Sequence, residues 1–311
     1  MIPFREYLED IRPVVDRRIE EVTSGEDGID PGLLPLLLRG KRMRAGLLLC
    51  VHAGLSRTTT LTRQALDLAC AVELAHAASL ILDDMLDGDT VRRGIPSLHL
   101  TRGEGRAVLD AVGLLALPYT LAAPYGAGYV TMLASAQRTM ARGVAWEMLG
   151  GLHLPAAELY DAIITRKTGC LFSLAAAWGA MAAGEEEPVV AAFTKFGLSA
   201  GKAMQIADDI ADLHASPAKT RNSRPGSEAL LLRCISPGEN GARQVPGEIL
   251  EREIAGAAAR IADEGRHRVP PEVWEPFGQV VREIVGLTIA GAMPDGGAGS
   301  RLAFRGALPQ R

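Results

Sequence analysis

Two short acidic segments carry the most chemically suggestive spacing in this sequence. DDMLD supplies Asp83, Asp84 and Asp87 within SLILDDMLDGD, and DDIAD supplies Asp208, Asp209 and Asp212 within GKAMQIADDIADL. On a helix, positions four apart share a face, so Asp83 with Asp87, and Asp208 with Asp212, each form a paired-carboxylate edge. Like charges at that spacing repel, and each edge closes an apolar segment in which an unpaired carboxylate is costly to desolvate. A cation between the carboxylates relieves both costs. Hard oxygen donors favour Mg²⁺, which keeps several waters and shares its carboxylates with a phosphate-bearing substrate. One DDxxD alone is as readily a solvated helix end; two copies, each after a long apolar helix, point to a metal site. The run Glu185 to Glu187, between a glycine and a proline, reads instead as a solvated turn.

Cations gather around the first acidic edge. His76 lies two helical turns before Asp83, on the same face, and Arg92 and Arg93 follow Asp87 in TVRRGIPSLH. Further upstream, GKRMR holds Lys41 and Arg44 three apart, on one face if helical. A lone basic pair is usually a surface feature. Basic clusters beside two metal-type acidic edges describe a site for two polyphosphates, with Mg²⁺ on one and Lys and Arg on the other.

The elements that must position these groups are helical. Apolar residues recur at three and four in segment after segment, and no period-two run of Val, Ile and Thr persists. The pattern predicts helices over about 3–22, 31–54, 62–87, 105–121, 127–150, 156–182, 188–212, 247–264 and 272–292. No long linker or composition shift divides the chain, so the expectation is one all-α domain over residues 1–293, with a Gly-rich tail over 294–311 that is mobile in isolation. The candidate hinge is Ser216 to Glu228, rich in Pro, Ser and charge.

Composition fits that reading. A net charge of −4, 48% hydrophobic residues and 5% aromatic residues describe a water-soluble globular chain. Mild acidity argues against a nucleic-acid-binding face, and anionic ligands then require metal ions or placed cations. Cys50, Cys70, Cys170 and Cys234 form no CxxC pair and fit thiols in a reducing compartment, so the expected location is cytoplasmic. The N-terminus alternates charges and has no signal-peptide core. The uncharged stretch from Ala111 to Ala136 is long enough to cross a membrane, but Pro118, Pro124, Gly113, Gly126 and Gly128 interrupt it. It reads as a buried helix hairpin, and so as cavity wall.

GKRMR, AVELAHAASLILDDMLDGDTVRRGIPS, RKTGCLF and GKAMQIADDIAD, in that order, resemble the motifs of the trans-isoprenyl (polyprenyl) diphosphate synthases, especially the bacterial geranylgeranyl diphosphate synthases. The likeness runs from about residue 30 to 235. It implies an all-α fold of long antiparallel helices around a deep cavity, a homodimer, and head-to-tail condensation of isopentenyl diphosphate with an allylic diphosphate. By that likeness Asp83, Asp87 and Asp208 hold Mg²⁺, about three ions per site, supported by Asp84, Asp209 and Asp212. Arg92, Lys167 and Lys219 contact the allylic diphosphate. Lys41, Arg44, His76 and Arg93 hold isopentenyl diphosphate. Lys167, Thr168 and Gln205 stand at the reacting centre. Ala78 and Ser79, one turn before Asp83, and Ala75, two turns before it, are small and leave an elongating chain unblocked, which favours a C20 product.

The likeness weakens after DDIAD. In PAKTRNSRPGSEALLL, Lys219 is kept, while Arg224 and Ser227 stand where the family commonly has Asp and a second Lys. Val144 and Glu147 replace a common Gln and Asp, and Met204 a common Phe. Two competing readings follow: a terpene cyclase or head-to-head condensing enzyme on a similar scaffold, and a catalytically weak regulatory subunit. Intact GKRMR, His76 and Arg93 oppose the cyclase, which has no second diphosphate to hold, and the retained aspartates oppose the weak subunit.

Overall fold

The computed structural model describes residues 2–24, 29–58, 60–149, 154–214, 227, 230, 231, 234, 246–265 and 269–292. Its helices match the predicted spans with informative exceptions. Helix α1 (Phe4–Thr23) turns Phe4, Leu8, Ile11, Val15 and Ile19 inward, an apolar stripe at helical spacing that packs on the third, fourth and last helices. The expected 31–54 helix is broken: a 3-10 turn (Pro31–Leu33) and α2 (Leu34–Leu38) precede α3 (Met43–Ser56). The break falls at Arg42, whose left-handed backbone (φ 60°) starts α3. A non-glycine residue adopts that conformation only when its surroundings hold it there. Arg42 is held by Asp16 at 2.6 Å, by the Leu37 carbonyl at 2.6 Å and by buried Glu73 at 3.6 Å.

Helix α4 (Arg63–Asp87) starts at Thr62, whose hydroxyl accepts from the Ala65 N–H, and stops at Gly88, a left-handed residue (φ 72°) that returns its N–H to the Asp84 carbonyl. It is apolar nearly all round because α3, α6 (Glu104–Ala122) and α9 (Cys170–Ala182) surround it. Between α4 and α6 lie a two-stranded hairpin, β1 (Val91–Arg92) with β2 (Ile95–Pro96), and short α5 (Leu98–Arg102). The hairpin is absent from the predicted elements.

Helix α7 (Ala127–Leu149) follows α6. The expected 156–182 helix is α8 (Ala156–Ile164) and α9 joined through a π-helical turn, Thr165–Gly169. Helix α10 (Glu187–His214) packs on α9, on α11 (Pro246–Gly265) and, beyond short α12 (Pro271–Trp274), on α13 (Pro276–Ala292). Edge-to-face contacts among Phe193, Phe196 and Phe277, with centroids 5.1–6.0 Å apart, lock α10 to α13.

The 111–136 hairpin is only partly buried, which corrects the reading of it as a wholly buried hairpin. Ala111, Leu114 and Leu121 of α6 face the core, but Leu109 is 68% and Val112 57% exposed, with Val108 beside them. Charge-free composition cannot distinguish a core helix from one with an apolar outer face. Helices Arg63–Asp87 and Glu104–Tyr125 are long and apolar enough to cross a bilayer; the first is mostly buried inside the fold.

Candidate active site

Both acidic motifs end long helices, where the last carbonyls already leave partial negative charge. Carboxylates there are doubly disfavoured without a cation. Lys167 Nζ supplies one, 3.1 Å from Asp83 Oδ1 and 2.5 Å from Glu147 Oε2. Burial opposes the charge on Lys167, but Asp83 and Glu147 outweigh it and hold its pKa above that of a free lysine. One ammonium does not balance Asp83, Asp87 and Glu147. Burial, reinforced by the Asp83 charge, pushes the Asp87 carboxyl up to about 6. Asp84 is 3% exposed and binds Arg92 at 2.5 Å; burial still raises its pKa.

The hairpin after the first motif separates the two arginines that are adjacent in sequence. Arg93 (φ 53°) and Gly94 (φ 73°) form its tight turn, a left-handed pair of the kind that two-residue loops require. Arg92 is thereby directed to Asp84 and to Asp89 at 2.8 Å. Arg93 turns toward α2 and donates to the Leu36 carbonyl at 2.7 Å.

Arg93 meets Arg44 and His76 in a second cationic centre. Arg44 is 8% exposed, stacks on the Phe172 ring at 4.8 Å, and its Nε has no hydrogen-bond partner among the described residues. Burial pulls its pKa down to about 10, against the attraction of Glu73. His76 is held well below the usual histidine range by burial and then by Arg44, Arg93 and Arg92, so it is neutral at pH 7. Glu73 acts on both arginines but is shared with Arg42 at 3.6 Å, so the cluster keeps room for an anionic ligand. Lys41 does not share a face with Arg44, contrary to the helical expectation: it precedes the Arg42 break, is exposed, and approaches the Leu287 carbonyl of α13 at 3.5 Å.

The π-helical turn links the two halves of the site. Side chains in such a turn gain a register that an α-helix does not offer. Lys167 reaches Asp83 on α4, and Thr168 donates to Gln205 Oε1 on α10 at 2.6 Å. Gln205 Nε2 donates to Asp209 Oδ1 at 2.9 Å, and the Tyr160 hydroxyl to Asp209 Oδ2 at 2.7 Å. Burial pushes the Asp209 carboxyl up to about 7. Asp208 and Asp212 are half-buried. Two bare backbones admit the turn: a Cβ on Gly143 of α7 would fall 2.6 Å from Lys167 N, and one on Gly201 of α10 2.9 Å from Gly169 Cα. Arg166 completes the clamp, lying over the Trp146 ring at 4.1 Å.

Ala75 and Ala78 are fully buried, and Ser79 turns its hydroxyl back to the His76 carbonyl at 2.8 Å. Lys219, Arg224 and the 294–311 tail lie outside the described residues. Among the described residues no three acidic or His side chains converge tightly enough to cage a metal by themselves. The donor set is nevertheless that of a hard cation: carboxylate oxygens of Asp83 and Asp87 at one helix C-terminus and of Asp208 and Asp212 near another, which a shared anionic ligand would complete. Glu147, noted in the sequence only as a departure, belongs to this group. Gly143, Tyr160 and Trp146 were missed; Gly143 and Trp146 sit in the same GVAWEML segment that carries Glu147, the one signal that marked them.

Known proteins resemble this chain in sequence and in fold. A family model described as polyprenyl synthetase matches residues 34–224. A geranylgeranyl diphosphate synthase of Pseudescherichia vulneris is 34% identical over 263 residues, covering 78% of this chain and 82% of that protein. A farnesyl diphosphate synthase of Escherichia coli K12 is 33% identical, covering 67% and 73%. The crystal structure of a geranyltranstransferase from Thermotoga maritima shares the fold with a TM-score of 0.69 at 24% identity, covering 90% of this chain and 97% of that one. One from Methanosarcina mazei gives 0.63 at 26% identity, covering 92% and 97%. With more than half its length matched, and the two acidic helix ends joined through the Lys167–Thr168 turn, the chain belongs to the polyprenyl synthetase family.

Proposed function

We propose that the protein is a Mg²⁺-dependent head-to-tail prenyltransferase that condenses isopentenyl diphosphate with an allylic diphosphate, ending at geranylgeranyl diphosphate. The observation that carries this reading is the pair of separate charge centres. Unbalanced carboxylates around Asp83 and Asp87 suit a metal-bound diphosphate, and the Arg44, Arg93 and His76 cluster suits a second diphosphate held by cations alone. A cyclase has no use for the second centre.

Asp83, Asp87 and Asp208 would hold the metal, with Asp212 beside them. Bound there, Mg²⁺ supplies neutralisation of charge on the departing diphosphate. Lys167 and Arg92 hold the same diphosphate, joined by Lys219. Arg44 and Arg93 hold isopentenyl diphosphate, with neutral His76 available as a hydrogen-bonding group that adds no charge. The allylic C–O bond breaks, and the alkene of isopentenyl diphosphate attacks the allylic carbon. The oxygens of Thr168 and Gln205 stabilise the positive charge, and the departed diphosphate accepts the final proton. Water must be kept away from that cation, a role suited to the apolar walls of α4 and α9.

The small, buried Ala75 and Ala78 favour a C20 product. The exposed stripe of Val108, Leu109 and Val112 on α6 suits a second copy, so the working form is a homodimer of one helical domain each. Buried Cys50, Cys70 and Cys170 fit a cytoplasmic setting. The test is incorporation of labelled isopentenyl diphosphate into an allylic primer with Mg²⁺. Incorporation abolished by a chelator supports the reading, and none with Mg²⁺ present rejects it.

A further inference from the structure

The two motif aspartates Asp208 and Asp209 are adjacent in sequence but differ in surroundings. Asp208 is half-buried, whereas Asp209 is 2% exposed. Each oxygen of Asp209 accepts a short hydrogen bond. Oδ2 takes the Tyr160 hydroxyl at 2.7 Å; Oδ1 takes Gln205 Nε2 at 2.9 Å and the Ser227 hydroxyl at 2.8 Å. All three donors are neutral, unlike the lysine beside Asp83.

Asp209 Oδ1 accepts from Gln205 Nε2 at 2.9 Å, so the face of the Gln205 amide turned to Asp209 is its NH₂. That fixes the other end: the Gln205 carbonyl oxygen faces Thr168, whose hydroxyl donates to it at 2.6 Å. A free glutamine amide has no such preference. Tyr160 comes from α8 and Ser227 from beyond the second motif, so three separate segments converge to orient one side chain.

We propose that Asp209, held by Tyr160 and Ser227, is a positioning residue that orients the Gln205 carbonyl and the Thr168 hydroxyl toward the developing allylic cation, and that it is not a metal ligand. The inference rests on the prenyltransferase reading and assigns a task to Ser227, which stands where a cation was expected. Misorientation of Gln205 leaves substrate binding intact but lets the cation meet water: the allylic C–O bond still breaks, a water oxygen bonds to the allylic carbon, and its proton passes to the released diphosphate.

The experiment compares Asp209→Asn, Tyr160→Phe and Ser227→Ala with Asp208→Asn in the full chain. Asp209→Asn and Tyr160→Phe are expected to lower kcat roughly 10- to 100-fold with KM for both substrates near wild type, as for lost transition-state contacts. The share of farnesyl diphosphate released as free alcohol rises in both. The Mg²⁺ concentration for half-maximal rate stays within about threefold of wild type in Asp209→Asn and rises at least tenfold in Asp208→Asn. Ser227→Ala gives a smaller change of the same kind. A Mg²⁺ requirement in Asp209→Asn shifted as far as in Asp208→Asn overturns the proposal, as does an unchanged kcat and alcohol fraction in Tyr160→Phe. The melting shift produced by Mg²⁺ with inorganic diphosphate reads the same distinction without turnover: retained in Asp209→Asn it supports the proposal, and lost it contradicts it. An inactive wild type rejects the prenyltransferase reading and leaves that melting comparison decisive for Asp209.

Discussion

Gly143 is the residue on which the position of Lys167 depends most directly. A methyl group there would sit 2.6 Å from the Lys167 backbone nitrogen, 2.7 Å from Arg166 Cβ and 3.0 Å from the Arg166 carbonyl carbon. Ordinary contact begins near 3.4 Å, so Gly143→Ala must push the π-helical turn away from α7 by about 0.8 Å. Two of the three obstructing atoms are backbone, and the turn is held on its other side by α10, where Gly201 meets Gly169. Neither side can yield by a rotamer change. Overpacking of this kind costs about 1–3 kcal/mol of stability. The catalytic cost is larger, because Lys167 must remain near Asp83 while Thr168 remains on Gln205, and a displacement approaching 1 Å costs on the order of 100-fold. Steady-state assay with isopentenyl and farnesyl diphosphates, alongside thermal unfolding, should show kcat down about 100-fold in a protein that still folds. Activity within threefold of wild type, with an unchanged melting temperature, would refute the claim that close packing of α7 positions the turn.

Between pH 4 and 6 the folded protein keeps a proton on Asp87, whose carboxyl lies at about 6, that the unfolded chain has lost, so this group's contribution to stability falls as pH rises. Mg²⁺ must expel that proton; its half-saturating concentration should fall roughly tenfold per pH unit up to about pH 6 and then level, a flat profile counting against Asp87 as a ligand. Arg42→Ala removes the cation from buried Glu73 and leaves Asp16 only Arg12 at 3.6 Å, and should cost about 3–5 kcal/mol in chemical denaturation; a loss under 1 kcal/mol would show that the α3 start does not depend on this pair. Leu109→Glu places a charge in the exposed α6 stripe; on the proposed homodimer, sedimentation should report dimers for wild type and monomers for the variant. A dimer that survives this change assigns the interface elsewhere.

Much of this site could be read from the chain because its chemistry is local. Asp83 with Asp87, and Asp208 with Asp212, are set by four-residue spacing, and the helices that carry them have apolar periods visible in sequence. What escaped depends on distant partners. The break at Arg42 is stabilised by Asp16 and Glu73, far away in sequence, so GKRMR looked like a helical pair and Lys41 was misplaced. The Arg92–Arg93 hairpin is too short to show a strand period. Gly143 has a role only because Lys167 packs against it. Tyr160 carries no motif, and its hydroxyl acquires meaning only across α8 and α10. The outer face of α6 was read as interior because a charge-free stretch does not reveal which of its apolar side chains face the core.

The central claim is the coupling of two diphosphate-bearing substrates across the paired acidic helix ends. Its most direct test is mass spectrometry of the products formed by the purified protein from isopentenyl diphosphate, farnesyl diphosphate and Mg²⁺. Geranylgeranyl diphosphate and free diphosphate are expected in equal amounts, with no product from an Asp83→Ala, Asp208→Ala double variant. A diphosphate-free hydrocarbon, or no chain-lengthened product at all, would contradict it.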